Sequence, residues 1–504
     1  MKKLFSLLMA AFMFSSSVMY SDIHQNELNS STVAYADGVI EVSTDDLGEE
    51  EDGGNIRVQI EDKYLNATPI VRNGRTMLPF RAVFEGLGGK VSFDKKANKI
   101  TADVAGKTIV MKVGSTSATL TENGSTKSVT LAAAPFVSKG QTYIPVRDVA
   151  TMTGLKVEYS KFSSIVNIYD QAKLIADINK DFTIYNSLLK KGSTKNLNAT
   201  YRSNIDLSGN LEVFAMGQNR KASGKITFDG LTQAMNLNGT FKLKLDPGDF
   251  RPLISESMQP EEIKLFDQLM TSEYRVILDG NNGKIFVKSD LLSAFTDNPT
   301  NTWLSMSDSS MVSEFNKMNK EYIEGMLQNP QNLTMGEILY HTASSQVEAM
   351  DGYGSTTYQQ VQDAASVLKV MFGDDGFVKT GSGYELKLDK AGLAKRLAKY
   401  IGNQYIQDPL KDLTSFDYKL VLKNVESNNI GIELKLSATM KDHKGQSASI
   451  NMDVDADNKD AKMTMDFSFP EMGKFHLDLT TKTQETNEKI VLAPPAGENV
   501  KAIG

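Results

Sequence analysis

The chain has 504 residues, a formal net charge of −7 and no cysteine. That length provides for two to four domains with apolar cores of their own. Without cysteine there are no disulfides, no lipid attached at a signal-peptide cysteine and no thiolate metal site. The 62 acidic residues outnumber the 55 basic ones, and no Lys/Arg cluster of the kind a nucleic-acid-binding face needs occurs.

Lys2-Lys3 precedes an apolar run from Leu4 to Phe14, at about 11 residues too short to span a bilayer, and Ala34-Tyr35-Ala36 supplies small residues for a cut. Residues 1–36 therefore read as a secretory signal peptide, which implies a secreted, cell-surface-associated protein with no transmembrane span in the mature chain. Residues 37–54 carry Asp45, Asp46, Glu49, Glu50, Glu51 and Asp52 beside Gly53-Gly54. A segment this acidic repels itself and buries nothing, so a disordered leader is expected.

Residues 55–170 contain one motif written twice, 66 positions apart: Asn73-Gly74-Arg75-Thr76-Met77-Leu78-Pro79-Phe80-Arg81 and Lys139-Gly140-Gln141-Thr142-Tyr143-Ile144-Pro145-Val146-Arg147. Pro79 and Pro145, Arg81 and Arg147, and Gly88 and Gly154 correspond, so an internal duplication is the economical reading. Gly74 and Gly140 supply a turn, a short strand follows, and Pro sits where a helix begins and its missing N–H costs nothing. Phe80, Val83, Phe84 and Leu87 form one helical face, which Gly88 ends as a left-handed cap. The second copy departs at Asp148, Thr151, Thr153 and Ser160, so a less regular helix is expected there.

The pattern N-G-R-T-x-x-P-x-R-x-x-x-E-x-L-G followed by V-x-aromatic-D, met at Asn73 to Asp94, resembles the copper amine oxidase N-terminal-like (stalk) domain of secreted Gram-positive bacterial proteins. The resemblance implies an accessory surface module, with a cell-wall polymer as a candidate partner, and does not imply amine oxidation. His24, His341, His443 and His476 are widely scattered, with no spacing suited to copper. No cofactor, metal or catalytic residue is assigned.

Residues 171–192 read as a linker helix with Leu174, Ile175, Ile178, Phe182, Tyr185, Leu188 and Leu189 on its stripe. From 193 to 492 the texture changes to long strands with apolar residues at every second position, including Leu237 to Leu245, Tyr418 to Leu422, Ile430 to Leu436, Ile450 to Val454, Met463 to Phe469 and Phe475 to Leu479. Helices are expected from Pro260, from Asp308 (with Met311, Phe315, Met318, Tyr322 and Met326 on one face), from Ser355 to Gly373, and from Asp389 to Gly402. Residues 493–504 read as a tail.

Strands at both ends with helices between them predict an α+β chain: a duplicated small α+β stalk module followed by a large curved antiparallel sheet packed on helices. The element order of residues 180–490 is similar to the LolA/LppX-like half-barrel envelope proteins, which implies binding of a lipid or other apolar small molecule. Trp303, Met311, Phe315, Met318, Met452, Met465 and Phe467 are the candidate lining, thioethers suiting a poorly defined acyl chain; an ordinary core would use the same residues, and Trp303, a lone indole flanked by polar residues, reads first as a packing anchor at a sheet edge. Gly373-Asp374-Asp375-Gly376 reads as a helix cap plus turn, since its carboxylates oppose phosphate. No Ser-His-Asp order or G-x-S-x-G elbow occurs. Three readings follow: a non-enzymatic envelope protein carrying an apolar ligand, a structural or adhesive surface protein with a filled core, and a carboxylate-dependent hydrolase.

Overall fold

A computed structural model describes most of residues 51–502. Residues 1–50, 53–55, 293–301, 307–333, 350–355 and 403–409 lie outside the described residues, as do 62, 73–74, 105, 161–162, 193–198, 216, 234–235, 257, 281, 428–429, 442–443, 471–472 and 503–504. The expected signal peptide, the helix from Asp308 with Met311, Phe315 and Met318, and the turn glycine Gly74 therefore fall outside them. The chain divides into two compact units. Among the described residues, one holds those from Glu51 to Lys180 together with Met335–Ala365, and the other holds Asp181–Thr334 together with Ser366–Gly504.

In the N-terminal unit the duplication is visible as geometry. Strands Arg75–Pro79 and Gln141–Pro145, one from each copy, pair antiparallel with Tyr143 opposite Pro79, Ile144 opposite Leu78 and Pro145 opposite Met77. Exchanging the copies maps this register onto itself, so Leu78 and Ile144 flank a local pseudo-dyad. Both are fully buried. Helices Phe80–Gly86 and Val146–Thr153 each start after the proline. Gly88 and Gly154 have φ of 75° and 82°, the left-handed region where a side chain would be strained. Hairpins Lys90–Asp94/Lys99–Val104 and Lys156–Ser160/Ile165–Tyr169 complete the two copies. Even the left-handed turn residues correspond, Asn98 with Ser164.

The second helix is not the weaker one. It has 8 residues against 7, and the Thr151 and Thr153 hydroxyls donate back to the carbonyls of Arg147 and Val149 within it. The acidic leader also needs correction at its end. Glu51–Asp52 pair as a short strand with Ile70 and Val71, since backbone pairing at a sheet edge does not depend on side-chain charge.

Residues 335–365, expected inside the 193–492 domain, belong to this N-terminal unit. Helix Met335–Ala349 packs on Gln171–Asn179. Gly336 permits the approach, because a Cβ there would stand 2.6 Å from the Ile175 carbonyl oxygen, and its N–H donates to Asn179 Oδ1 at 2.9 Å. Helix Thr357–Phe372 begins with its Thr357 N–H donating to Glu158 Oε2 at 2.7 Å, while Tyr169 OH donates to Glu158 Oε1 at 2.5 Å. Burial, and then the Glu158 carboxylate, push the Tyr169 phenol far above its ordinary range. The single linker helix expected at 171–192 is two, Gln171–Asn179 and Thr183–Gly192. Their shared apolar stripe hid the break, which falls at the boundary between the units.

The C-terminal unit is built on one 14-stranded sheet. Numbered in chain order its strands are β1 Thr200–Ala215, β2 Gln218–Gln233, β3 Asn236–Asp246, β4 Thr271–Asp279, β5 Lys284–Lys288, β6 Thr302–Met306, β7 Val378–Thr380, β8 Gly383–Asp389, β9 Leu413–Lys423, β10 Gly431–Lys441, β11 Ser447–Asp457, β12 Asp460–Phe469, β13 Gly473–Thr486 and β14 Asn499–Ala502. The order across the sheet is β7-β8-β9-β10-β11-β12-β13-β1-β2-β3-β4-β5-β6-β14. Every pair is antiparallel except β6 with β14. The segment read as a tail thus supplies one of the two edge strands.

Two polar hubs, of which only Arg396 is buried, fasten the helices. Asp374 accepts from the Thr183 N–H at 2.7 Å and the Ile184 N–H at 3.1 Å, capping Thr183–Gly192 from a distant part of the chain. Arg396, on helix Lys390–Tyr400, donates to the Val370 and Lys369 carbonyls at the end of Thr357–Phe372 and pairs with Asp375 at 2.8 Å. Burial alone would raise the Asp375 carboxyl, but hydrogen bonds from Lys399 and Tyr400 and the Arg396 charge outweigh it and hold it at about 2.

Candidate functional site

Cross-strand partners point to the same side of a sheet, so the register assigns one face almost wholly to apolar residues. From β8 to β11 it runs through Leu386, Leu420, Leu434, Val454 and, one pair along, Tyr418, Leu436 and Met452. It continues through Met465, Leu477 and Leu479 to Leu207 and Leu211, then through Ile226 to Leu243. The opposite face carries Lys, Asp, Glu, Thr and Ser in ion-paired ladders such as Lys435–Asp453 and Lys423–Glu433.

The apolar face is covered unequally. On β8–β11 Leu386, Leu420, Leu422, Leu434, Leu436, Ile450 and Met452 are all buried. Helix Lys390–Tyr400 packs on β8 and β9, the Tyr418 OH reaches the Met371 carbonyl at 3.1 Å, and the Tyr185 ring meets Phe372 edge-on at 5.5 Å. On β12, β13 and β1–β3 the same face opens toward one end of the strands. Leu207, Leu211, Leu243, Met463, Phe467, Leu477 and Leu479 are half-buried. Ile226, Leu245 and Phe475 are 40, 36 and 39% exposed.

Glycines shape this region. Gly230 faces Gly239 and Gly209 faces Gly224 across the β1–β3 strands. The first pair lies under the Phe228 ring, which a Cβ on Gly239 would meet at 2.4 Å, and Phe228 is itself buried against Phe241 at 4.7 Å. At the second pair the covering groups are aliphatic, Leu245 over Gly224 and Leu477 near Gly209. The closed end is therefore plugged by an aromatic ring, whereas the open end is edged by Leu and Ile.

The structure brings some of the sequence-selected residues together and separates others. Met452 and Met465 are direct cross-strand partners and both are buried. Phe467 faces Ile450 and Phe475 and is half-buried, at the margin of the open region. Trp303 does not join them. Its neighbour Leu304 pairs with Val287 on the apolar face, so Trp303 points to the other side. There it is fully buried, donating from Nε1 to Glu498 Oε2 at 2.5 Å, with Arg275 and Lys288 over its ring. Its role is to anchor the β6–β14 edge. In the N-terminal unit Pro79 and Pro145 are buried, Gly140 and Gly154 turn with positive φ, and Arg81 and Arg147 are both exposed on their helices.

Sequence reading missed Leu207, Leu211, Ile226, Leu245 and Phe475 as lining. Their period-two pattern matches that of the sealed strands, and only the placement of the helices distinguishes them. His476 sits on the polar face between Asp466 and Asp478, each at 2.8 Å. Hydrogen bonds from its ring to Asp466 and then Asp478 raise its pKa. Among the described residues no group of His, Asp and Glu is arranged to hold a metal ion, and no helix is long and apolar enough to cross a membrane.

Residues 57–175 match the copper amine oxidase N-terminal domain family. The match covers the duplicated unit and ends inside the first helix after it, Gln171–Asn179. No curated protein matches the chain.

Proposed function

We propose that this is a secreted, non-enzymatic cell-envelope protein whose C-terminal unit binds or carries a lipid or other apolar molecule, while the duplicated module places it at the surface, where a wall polymer is the candidate partner. One observation carries the reading: a single apolar face, continuous through the register, is sealed on β8–β11 and left half-exposed on β12, β13 and β1–β3. Apolar surface left in water costs about 25 cal/mol per Å², and each buried methylene of a ligand recovers about 0.8 kcal/mol. An acyl chain laid along Leu207, Leu211, Ile226, Leu245, Phe467 and Phe475 would recover part of that cost. Nothing in this lining fixes a polar head group, which suits a chain recognised by its apolar part.

The test is solvent extraction and native mass spectrometry of the full chain purified from a secreting host. Reproducible lipid adducts support the proposal. Their absence, together with no uptake of a fluorescent fatty acid, removes it. A structural or adhesive protein is the second reading, favoured by the completeness of the seal on β8–β11, and it is the one left standing by that negative result.

A further inference from the structure

Between β3 and β4 the chain leaves the sheet and forms helices Arg251–Ser255 and Pro260–Met270. The second carries Ile263, Leu265, Phe266, Leu269 and Met270, an apolar set of the kind that seats a helix on a core. Yet neither helix has a buried residue, and Ile254 and Leu269 are 40 and 39% exposed. Exposure also fixes the side of the sheet that helix Pro260–Met270 occupies. It packs on β3 and β4. On their polar face Lys242 pairs with Glu273 at 3.2 Å and both stay in solvent, as do Lys244 and Thr271. On the apolar face Ser272, opposite Leu243, is buried. The helix therefore lies over the apolar face, beside the open region: Lys244 opposite Thr271 is the last pair of the two strands, so Leu245 and Met270 are the positions that follow it.

We propose that residues 251–270 are a hinged flap that closes over an apolar ligand at the open end of the sheet, a role that rests on the ligand site proposed above. The flap is built to move as one piece. Arg251 Nη2 stands 2.7 and 2.9 Å from the two Asp267 carboxylate oxygens and so bolts the two helices together. The Gln259 N–H donates to Glu262 Oε2 at 2.7 Å and the Thr271 hydroxyl to the Asp267 carbonyl at 3.2 Å, closing both ends of the longer helix from within. Among the described residues, every hydrogen bond and ion pair made by 251–270 ends inside residues 248–272. Its attachments lie at its two ends. Asp249 accepts from the Lys221 N–H at 2.9 Å and from Arg220 at 2.9 Å on one side, and the Lys244–Thr271 pair holds the other. Swinging between these points breaks no hydrogen bond to the sheet and uncovers little apolar area, which is the condition for a segment that opens at low cost. Closing lays Leu269 and Met270 toward a chain resting on Leu245, Ile226 and the Gly209–Gly224 pair, so that flap and sheet lose exposed apolar surface together.

The experiment is amide hydrogen exchange of the full chain with and without a fluorescent fatty acid, whose uptake is read in the same samples. With the probe at about ten times its Kd, exchange across residues 251–270 is expected to slow about tenfold, since the bound state closes the flap, while β9, already sealed, is expected to keep its rate. Arg251→Ala, which unbolts the two helices, is expected to release the probe about tenfold faster. Its thermal melting should match wild type, because the pair it removes is solvent-exposed. Probe uptake with unchanged exchange in 251–270, or release from Arg251→Ala at the wild-type rate, overturns the flap and leaves the ligand site standing. A wild type that takes up no probe removes the ligand site, and the flap with it.

Discussion

Strands β8–β11 and the β12, β13, β1–β3 group have the same alternation, the same residue types and one continuous register, yet the first is a core and the second an open surface. The difference comes from elsewhere in the chain. Helices Thr183–Gly192 and Lys390–Tyr400 and the end of Thr357–Phe372 are fastened near β8–β11 by Asp374, Asp375 and Arg396. Burial is thus a property of what lies over a strand as much as of the strand itself, and a half-covered sheet has one sealed region and one open one.

The largest effects should fall where the cover is complete. Phe228→Ala removes the ring lying over Gly230 and Gly239 and leaves a cavity between backbones, so a loss of about 3–5 kcal/mol is expected in denaturant unfolding. Leu420→Ala, fully buried under the helices, should cost about 2–5 kcal/mol by the same measurement. Arg396→Ala should cost about 3 kcal/mol, because Asp375 and the carbonyls of Lys369, Val370 and Gly373 lose their donor together. The comparison breaks if any of these proves as mild as a surface change.

Ile226→Asn, in the open region, should shift stability by about 0.5 kcal/mol or less while weakening fatty-acid binding about tenfold. A loss of several kcal/mol would show the region to be core. The smallest effect concerns pH. His476 gains two carboxylate partners on folding, so its contribution is fully present below about pH 6.5, its ordinary value, and is lost as pH rises through the raised folded value. Between pH 5.5 and 8.5 the urea midpoint of wild type should therefore fall more than that of His476→Gln. Asp375 has the opposite sign. Its stabilisation is present above its ordinary value and is lost as pH falls toward about 2.

Much of the architecture was legible because it rests on local chemistry. Period-two runs became the large sheet, Asp389 capped its helix through Gly392 N–H at 2.7 Å, and the repeated Gly, Pro and Arg positions located the duplicated module. The remainder depended on contacts distant in sequence. Nothing near residue 335 marks it as a partner of Gln171–Asn179, a docking that requires the small volume of Gly336. No local signal says that Asp374 caps a helix almost 200 residues earlier. Trp303 reads as a sheet-edge anchor from its polar flanks, and that is its place; only the parity of its strand position excludes it from the lining formed by the methionines. The open end was not legible, because exposed and sealed apolar strands are written alike.

The most direct measurement is a titration of a fluorescent fatty acid into the full chain, comparing wild type with Ile226→Asn, Phe475→Asn and, at the sealed end, Met452→Leu. Saturable uptake that weakens in the first two variants and persists in the third is the predicted result. No uptake by the folded wild type, or uptake indifferent to Ile226 and Phe475, would contradict a ligand site at the open end of the sheet.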